Sequence, residues 1–229
     1  MNTAELLDKL SDIILEYDAE RPVKVGIDGI DASGKTHIAD LLAHNMTNIT
    51  TRNVLRASID GFHNPRHIRI QKGEDSPVGY FEDSFNYPRL QKELLEPLTY
   101  SDDPTCRTRI FDYNKDIPVN EKPKRISTDT ILIFDGIFLM RNEIADYWDI
   151  TIFVKVNFPE ALRRAIKRDG KNVDKKEILA RKYKQRYFPA QKFYLHTYNP
   201  EEKASIVVDN NDFNNPEILV MRISEKRES

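Results

Sequence analysis

Short apolar runs alternate along this chain with stretches in which apolar residues recur at helical spacing. Five such runs predict buried strands, at residues 23–28, 53–60, 130–136, 150–156 and 204–209. Between them, apolar residues three or four positions apart predict helices at 3–17, 35–48, 87–98, 159–169 and 174–187. This order predicts an α/β fold: a three-layer sandwich whose parallel, doubly wound sheet has helices on both faces.

Two stretches interrupt this alternation. Residues 64–79 are polar and basic, which predicts a basic surface followed by a loop. Residues 105–113 alternate as in a strand, and 117–126 supply a partner strand that its prolines restrict to a sheet edge. We therefore predict a β-ribbon insertion at about 105–128, which either forms one wall of a binding pocket or is a hairpin with solvated arginines.

At 229 residues the chain is long enough for one α/β domain, so we interpret 1–229 as a single domain. Hydrophobic residues make up 39% and charged residues 31%, which is typical of a soluble globular protein. The formal net charge of −2 gives no electrostatic footprint for a nucleic acid polymer. No apolar run reaches a membrane-spanning length, and the lone Cys106 excludes an internal disulfide. We expect a cytoplasmic protein with no membrane partner, and the sequence leaves a homo-oligomer open.

Residues 29–36 match G-x-x-x-x-G-K-[ST], the pattern of a phosphate-binding loop, between a predicted strand and a predicted helix. The glycines let successive N–H groups point inward at an anion, and the following helix directs its positive dipole end to the same place. Lys35 adds a charge for the terminal phosphates, and the Thr36 hydroxyl is a ligand for Mg²⁺. We therefore predict that a nucleoside triphosphate binds to Gly29, Ile30, Asp31, Ala32, Ser33, Gly34, Lys35 and Thr36.

Two carboxylates at or next to the end of a predicted strand are candidates for the nucleotide site. Asp60 ends the second strand and should lie near the phosphate loop, because ligands bind at the carboxyl ends of parallel strands. Asp135 ends the most apolar strand, where nucleotide sites hold Mg²⁺ directly or through water. Each also has a structural interpretation: Asp60 caps a turn beside a surface His63, and Asp135 caps a turn.

A run of basic residues follows the fourth predicted strand: Arg163, Arg164, Lys167 and Arg168. Such a run is usually a solvated helix face. In a nucleotide-binding protein, arginines on a mobile segment can instead close over the phosphates and neutralise transition-state charge. Both interpretations remain open for this lid region, at about 159–188.

Five sequence elements together resemble the uridine kinase and phosphoribulokinase family of P-loop kinases, and the resemblance covers about residues 24–216. They are the phosphate loop, Ile59-Asp60-Gly61-Phe62-His63, Phe134-Asp135-Gly136-Ile137, the basic run ending in Arg168-Asp169, and Tyr194…Pro200…Val208-Asp209. The phosphate loop is common to many families. The Asp-Gly-Phe-His element and its distance from the loop are more specific.

The resemblance implies an ATP-dependent kinase that phosphorylates a hydroxyl of a small metabolite. ATP would lie on the phosphate loop with Mg²⁺ near Thr36 and Asp135, and Asp60 would accept the proton of the acceptor hydroxyl. The other catalytic residues that it implies are Lys35, Arg164 and Arg168. The acceptor pocket would draw on His63, Tyr80, Phe81, Asp83, Arg107 and Asp112.

The chain differs from uridine kinases on the acceptor side. Residues 81–85 read Phe-Glu-Asp-Ser-Phe where that family has Phe-Asp-His-Pro-Asp-Ala-Phe, and residues 111–116 lack its histidine. The resemblance therefore supports the reaction more than the substrate, with uridine or a related nucleoside as the first hypothesis. One alternative is a kinase for pantothenate or a sugar phosphate, with an anionic acceptor bound by Arg66, Arg69, Arg107 and Arg109. Another is a nucleotide-dependent regulatory binding protein, although the chain has no Asn-Lys-x-Asp guanine-reading element.

Overall fold

A six-stranded sheet forms the middle layer of the fold, in a computed structural model that describes residues 1–17, 19–101, 104–170 and 172–222. The strands of the described chain are β1 (Val23–Asp28), β2 (Val54–Ser58), β3 (Thr105–Cys106), β4 (Phe111–Asp112), β5 (Ile117–Pro118), β6 (Lys124–Arg125), β7 (Ile131–Gly136), β8 (Ile150–Lys155), β9 (Ile206–Asp209) and β10 (Glu217–Met221). The order across the large sheet is β10-β9-β8-β1-β7-β2. All its neighbours pair in parallel except β9 and β10, which are antiparallel.

The apolar strands divide their side chains between two cores, one on each face of the sheet. Along β7, Ile131 and Ile133 join one core and Leu132 and Phe134 join the other, because successive side chains of a strand point to opposite faces. All residues of β1 are buried, as expected for a parallel strand covered on both sides. The three-layer, doubly wound α/β fold predicted from the sequence is confirmed.

Helices cover both faces of this sheet. They are α1 (Thr3–Glu16), α2 (Lys35–Ile49), α3 (Arg66–Arg69), α4 (Pro77–Asp83), α5 (Tyr87–Leu90), α6 (Pro97–Tyr100), α7 (Phe158–Asp169), α8 (Val173–Lys182), α9 (Phe188–Tyr198) and α10 (Pro200–Lys203). Leu10 of α1 and Leu42 of α2 enter one core, and Leu90 of α5 and Tyr194 of α9 enter the other. No helix in the part of the chain that the structure describes is long and apolar enough to cross a membrane.

The structure corrects the ends of several predicted elements. β2 stops at Ser58, so Asp60 lies in the 3₁₀ turn Ile59–Phe62 that follows and not on the strand itself. The region 64–79, predicted as a basic surface and loop, contains α3 and the start of α4. β10 adds an antiparallel edge strand. The turn after β9 is long enough for an antiparallel strand but too short for the crossover that a parallel strand would need.

The predicted β-ribbon forms two short antiparallel ladders. β3 pairs with β6, and β4 pairs with β5, each over two residues. The backbone N–H of Ile110 donates to the carbonyl oxygen of Gly61 at 2.8 Å, so the ribbon packs against the turn that carries Asp60.

Candidate active site

The phosphate loop lies between β1 and α2, and its two glycines occupy positions where a side chain would collide with the backbone or a neighbour. At Gly29, a Cβ atom would lie 2.6 Å from the backbone oxygen of Val154. Gly34 has φ +95°, and a Cβ atom there would lie 2.5 Å from Asn210 Nδ2. Because α2 begins at the next residue, the unpaired N–H groups of its first turn are available to an anion in the loop.

Lys35 supplies positive charge inside this loop. Its side chain is buried, and its Nζ donates to the carbonyl oxygen of Ile30 at 3.3 Å. Within the described part of the chain, no carboxylate lies within 4.0 Å of this ammonium group. A buried cation without an anionic partner is unfavourable, and phosphate oxygens would provide that partner.

Thr36 and Asp135 meet at the foot of the loop. The Thr36 hydroxyl donates to Asp135 Oδ2 at 2.5 Å, and Arg56 Nη2 donates to Asp135 Oδ1 at 2.7 Å. Hard oxygen donors of this kind suit Mg²⁺, which takes one or two protein oxygens and fills its other positions with water and phosphate. Among the described residues, no group of three or more His, Cys, Asp or Glu could hold a metal ion. The pair therefore fits a Mg²⁺ ion that is bound jointly with nucleotide phosphates.

Asp60 presents its carboxylate to solvent beside a histidine. Its side chain is 77% exposed, and its Oδ1 lies 3.4 Å from His63 Nε2. The other ring nitrogen, His63 Nδ1, lies 3.0 Å from the carbonyl oxygen of Ser84. Because a carbonyl oxygen can only accept, Nδ1 carries a hydrogen, and Nε2 is the nitrogen that faces the carboxylate.

The charges around Asp60 keep it ionised. Loss of solvent would by itself raise the pKa of Asp60, whereas the hydrogen bond and charge of His63 lower it. Lys35 and Arg168 act in the same direction, and the net result is a pKa of Asp60 below its ordinary value. The side chain is therefore a carboxylate at neutral pH, able to accept a hydrogen bond from a hydroxyl.

These residues share one cavity of about 1110 Å³. Small-molecule sites usually measure about 300–1,000 Å³, so this one has room for two ligands. The predicted site residues on its wall are Asp31, Ala32, Gly34, Lys35, Thr36, Asp60, His63, Tyr80, Asp135, Arg164 and Arg168. The rest of the predicted loop, Gly29, Ile30 and Ser33, completes the turn behind that wall.

Two predicted acceptor residues near α4 have other partners. The Phe81 ring is buried and packs edge-on against Phe138, with 5.0 Å between ring centroids. The Asp83 carboxylate forms an ion pair with Lys72 at 2.8 Å. Neither residue belongs to the wall of the main cavity as the described residues form it. Their contact with a substrate stays a prediction, and this arrangement does not support it.

The two predicted acceptor residues of the ribbon are also engaged within it. Arg107 forms an ion pair with Glu93, and its Nε donates to the carbonyl oxygen of Glu121 at 2.7 Å. Asp112 Oδ1 accepts from the backbone N–H of Asn114 at 3.1 Å, as in a turn. Both lie off the described wall of the cavity, so the structure gives them a role in the ribbon.

The two predicted lid arginines differ in their partners. Arg164 Nη2 donates to the carbonyl oxygen of Asn210 at 2.6 Å, and its Nη1 donates to that of Ser33 at 3.3 Å. It therefore braces the phosphate loop from the side. Arg168 is 65% exposed and pairs only with the adjacent Asp169 among the described residues, at 2.8 Å, which leaves its guanidinium close to the cavity and in solvent.

Sequence reasoning missed Asp28 and Gln191, and it did not indicate that Tyr80 and Tyr194 hold the phosphate loop from behind. Asp31 Oδ2 accepts from the Tyr80 hydroxyl at 2.7 Å and from Gln191 Nε2 at 2.7 Å. Asp28, fully buried at the end of β1, accepts from the Tyr194 hydroxyl and from the N–H of Gly29, the latter at 2.8 Å. An aspartate inside or beside a phosphate loop was the available signal, since its charge requires a partner.

A parallel sheet with a glycine-bounded loop, a loop lysine and a Thr–Asp oxygen pair defines the class of P-loop nucleotide-binding proteins. A family model for the Phosphoribulokinase / Uridine kinase family matches residues 24–186, and the chain belongs to that family. It is an ATP-dependent small-molecule kinase.

Individual relatives agree with this assignment. The chain is 28% identical over 165 residues to a uridine kinase of Lactobacillus helveticus, covering 68% of this chain and 73% of the relative. The structure of a possible uridine kinase from Bacillus stearothermophilus superimposes with a TM-score of 0.71 at 22% identity, covering 89% of this chain and 97% of the other. D-glycerate 3-kinase from Cryptococcus neoformans gives a TM-score of 0.59 at 10% identity, over 93% and 99% of the two chains. The structural likenesses show the shared fold.

Proposed function

We propose that this kinase transfers the γ-phosphate of ATP to a hydroxyl of a small metabolite, with Asp60 as the base. The observation that carries the proposal is an exposed carboxylate in the same cavity as the phosphate loop and Lys35. A nucleotide switch has no use for a carboxylate there, whereas an alcohol acceptor needs one to orient its O–H group.

The residues of the chain have separate tasks in this reaction. The loop N–H groups and the Lys35 ammonium bind phosphate oxygens and offset the charge that develops on them. Asp60 accepts a hydrogen bond from the acceptor hydroxyl, aims its oxygen at phosphorus and takes its proton. The new bond joins that oxygen to the γ-phosphorus, the bond to the β–γ bridging oxygen breaks, and ADP leaves. A carboxylate with a lowered pKa suffices, because phosphoryl transfer depends mainly on positioning and charge.

Thr36 and Asp135 would hold Mg²⁺, which supplies charge neutralisation for the phosphates when it is bound. Arg56 fixes the orientation of the Asp135 carboxylate through its 2.7 Å contact. On the other side of the loop, Arg164 holds the carbonyl of Ser33 and so keeps the loop N–H groups directed inward.

Uridine or a related nucleoside is the first acceptor hypothesis. It is supported by the likeness to a uridine kinase and by an aromatic wall next to Asp60, where the rings of His63 and Tyr113 lie 4.5 Å apart. The second candidate is an alcohol with a negative charge, such as pantothenate or a sugar phosphate. It is supported by the cluster of basic residues beyond His63.

A screen for ADP release in the presence of nucleosides, pantothenate and sugar phosphates tests the proposal. With an active acceptor, Asp60→Asn should lower kcat by about 10²- to 10⁴-fold, the usual worth of a general base, while ATP binding persists. Lys35→Ala should abolish turnover, and the exposed Asp12→Asn on α1 should leave it unchanged. Near wild-type turnover by Asp60→Asn, or hydrolysis that no hydroxyl compound stimulates, would refute the proposal.

A further inference from the structure

A second cavity of about 310 Å³ adjoins the main one on the side of Asp60. Four aromatic residues line both cavities: His63, Tyr80, Tyr113 and Tyr187. Because His63 Nε2 faces the Asp60 carboxylate, the second cavity begins about one imidazole ring away from that carboxylate. The two cavities are therefore neighbours, and a molecule that occupied both would have one end near Asp60.

The wall of the second cavity is positively charged. Besides His63, its charged residues are four cations and two carboxylates, a net charge of +2: Arg66, Arg69, Lys182 and Arg186 against Glu74 and Asp116. Each carboxylate is already paired with an arginine, at 2.7 Å and 2.9 Å. Within the described ranges, neither Lys182 nor Arg186 has a carboxylate within 4.0 Å. The excess charge is therefore carried by these two residues.

Arg186 is buried without a counter-ion. Among the described residues, its hydrogen bonds go only to backbone carbonyl oxygens: that of Arg69 at 3.2 Å, that of Gly73 at 3.3 Å and that of Glu74. The guanidinium also lies over the Tyr80 ring, 5.5 Å from its centroid. Carbonyl dipoles offset part of the cost of burying a cation, but an anion offsets much more. A bound anion in this cavity would supply the missing charge.

Arg69 has a buried hydrogen-bond donor without an acceptor among the described residues. Its Nη2 pairs with Asp116, while its Nε is buried and has no partner. The guanidinium stacks on Tyr113, 4.4 Å from the ring centroid, which fixes its plane. A buried donor without an acceptor costs free energy, so this position also favours an anionic ligand.

We propose that the second cavity binds the anionic group of the acceptor, so that the substrate is an alcohol with a carboxylate or phosphate at some distance from the reacting hydroxyl. This inference rests on the proposed function and, of its two acceptor candidates, favours the charged alcohol over the neutral nucleoside. The hydroxyl lies at Asp60, and the anionic group lies against Arg69, Lys182 and Arg186. Guanidinium groups bind carboxylate and phosphate through the same paired hydrogen bonds, so the choice between the two is a matter for experiment.

Matched acceptors that differ mainly in charge test the substrate class. ADP release is measured with D-glycerate and glycerol, pantothenate and panthenol, and D-ribulose 5-phosphate and D-ribulose, with uridine as the neutral nucleoside. The proposal expects kcat/KM for the anionic member of a productive pair to exceed that of its neutral counterpart by about 10- to 100-fold, as for one charged hydrogen bond. The chemistry of the productive pair then shows whether the second cavity binds a carboxylate or a phosphate. If kcat/KM for uridine or for a neutral alcohol exceeds that of every anionic acceptor, the proposal is wrong.

Variants in the second cavity test the residues. Lys182→Gln and Arg69→Gln should each raise KM for the anionic acceptor about 10- to 100-fold and leave KM for ATP unchanged. Lys184→Gln, two positions along from Lys182 and exposed, is the matched control. Lys182 is only half-buried, so its variant remains informative if Arg69→Gln fails to fold. An unchanged acceptor KM in Lys182→Gln and Arg69→Gln would contradict the assignment.

A binding measurement separates this inference from the proposed function. The phosphate loop is first saturated with a non-hydrolysable ATP analogue and Mg²⁺, and inorganic phosphate is then titrated while the melting temperature is recorded. Phosphate should raise the Tm of the wild type and of Lys184→Gln but not of Lys182→Gln. Equal responses in all three proteins would rule out the anion subsite. Absence of any kinase activity would defeat the proposed function and leave this result standing.

Discussion

Asp60 and Asp135 both lie at the carboxyl end of a strand, Asp135 within β7 and Asp60 just after β2, yet their neighbours give them different chemistry. Asp135 is only 1% exposed, and its two oxygens are taken by Thr36 and Arg56. Asp60 is 77% exposed, with His63 beside one oxygen. The buried carboxylate is suited to holding a cation in one place, and the exposed one is suited to exchanging a proton with a ligand.

A strand that ends in an acid can be recognised in a sequence, so both carboxylates were predictable. Arg56 was not, because its role depends on the register that sets Ser58 of β2 against Asp135 of β7. Gln191 was not either, since its partner Asp31 lies 160 positions earlier in the chain. Such residues acquire a function only from neighbours that the fold supplies.

The contact between His63 and Asp60 predicts a change in pH dependence. Because His63 lowers the pKa of Asp60, His63→Gln should raise that pKa toward its ordinary value. Asp60 would then lose its charge at a higher pH on acidification, so the acid limb of kcat/KM should move to higher pH. Activity near pH 4 should fall more than activity near pH 8. If the acid limb of kcat/KM stays at the same pH and only the maximum value falls, His63 contributes to binding alone.

At the scale of elements, the sequence predicted the regular parts of the sheet better than its connections. β1 has the predicted bounds, Val23–Asp28, because Pro22 precedes its alternating apolar residues and the glycine-bounded loop follows them. The ribbon was predicted as two longer strands but pairs over only two residues in each ladder. Proline lacks the N–H group that a ladder needs, and Pro118 lies inside β5. Local alternation therefore overstated the length of these strands.

The conformation of the phosphate loop predicts the effect of one added methyl group. Gly34→Ala must adopt φ +95° with its Cβ 2.5 Å from Asn210 Nδ2, the atom that holds the carbonyl of Ser33. Strain of about 1–3 kcal/mol should distort the loop and weaken ATP binding about 5- to 150-fold, measured by calorimetry. Gly73→Ala is the control, since Gly73 has φ +104° but no neighbour nearer than 3.8 Å to the new Cβ. Equal losses of ATP affinity in both variants would mean that the crowding at Gly34 is unimportant.

At the scale of the whole molecule, the phosphate loop is tied to α9, more than 150 residues away in sequence. The Tyr194 hydroxyl donates to Asp28 and accepts from the backbone N–H of Met140 at 2.9 Å, so it joins the ends of β1 and β7 to this helix. Gln191, one helical turn earlier on α9, reaches Asp31. The helix that follows the lid region therefore sets the position of the nucleotide site, which no local pattern in the sequence could indicate.

The burial of Asp28 predicts how stability depends on pH. Burial raises the pKa of Asp28 from 3.8 to about 6, although the bonds from Tyr194 and Gly29 oppose the change. Between these values the folded state keeps a proton that the unfolded chain has released, so this group makes the fold less stable as pH rises from about 4 to about 6. The free energy of unfolding of Asp28→Asn, which cannot ionise, should improve relative to the wild type by up to about 3 kcal/mol across that range. Urea unfolding at pH 4, 5, 6 and 7 measures the difference, with Asp12→Asn as the exposed control. A constant difference between Asp28→Asn and the wild type would show that Asp28 titrates alike in the folded and unfolded chain.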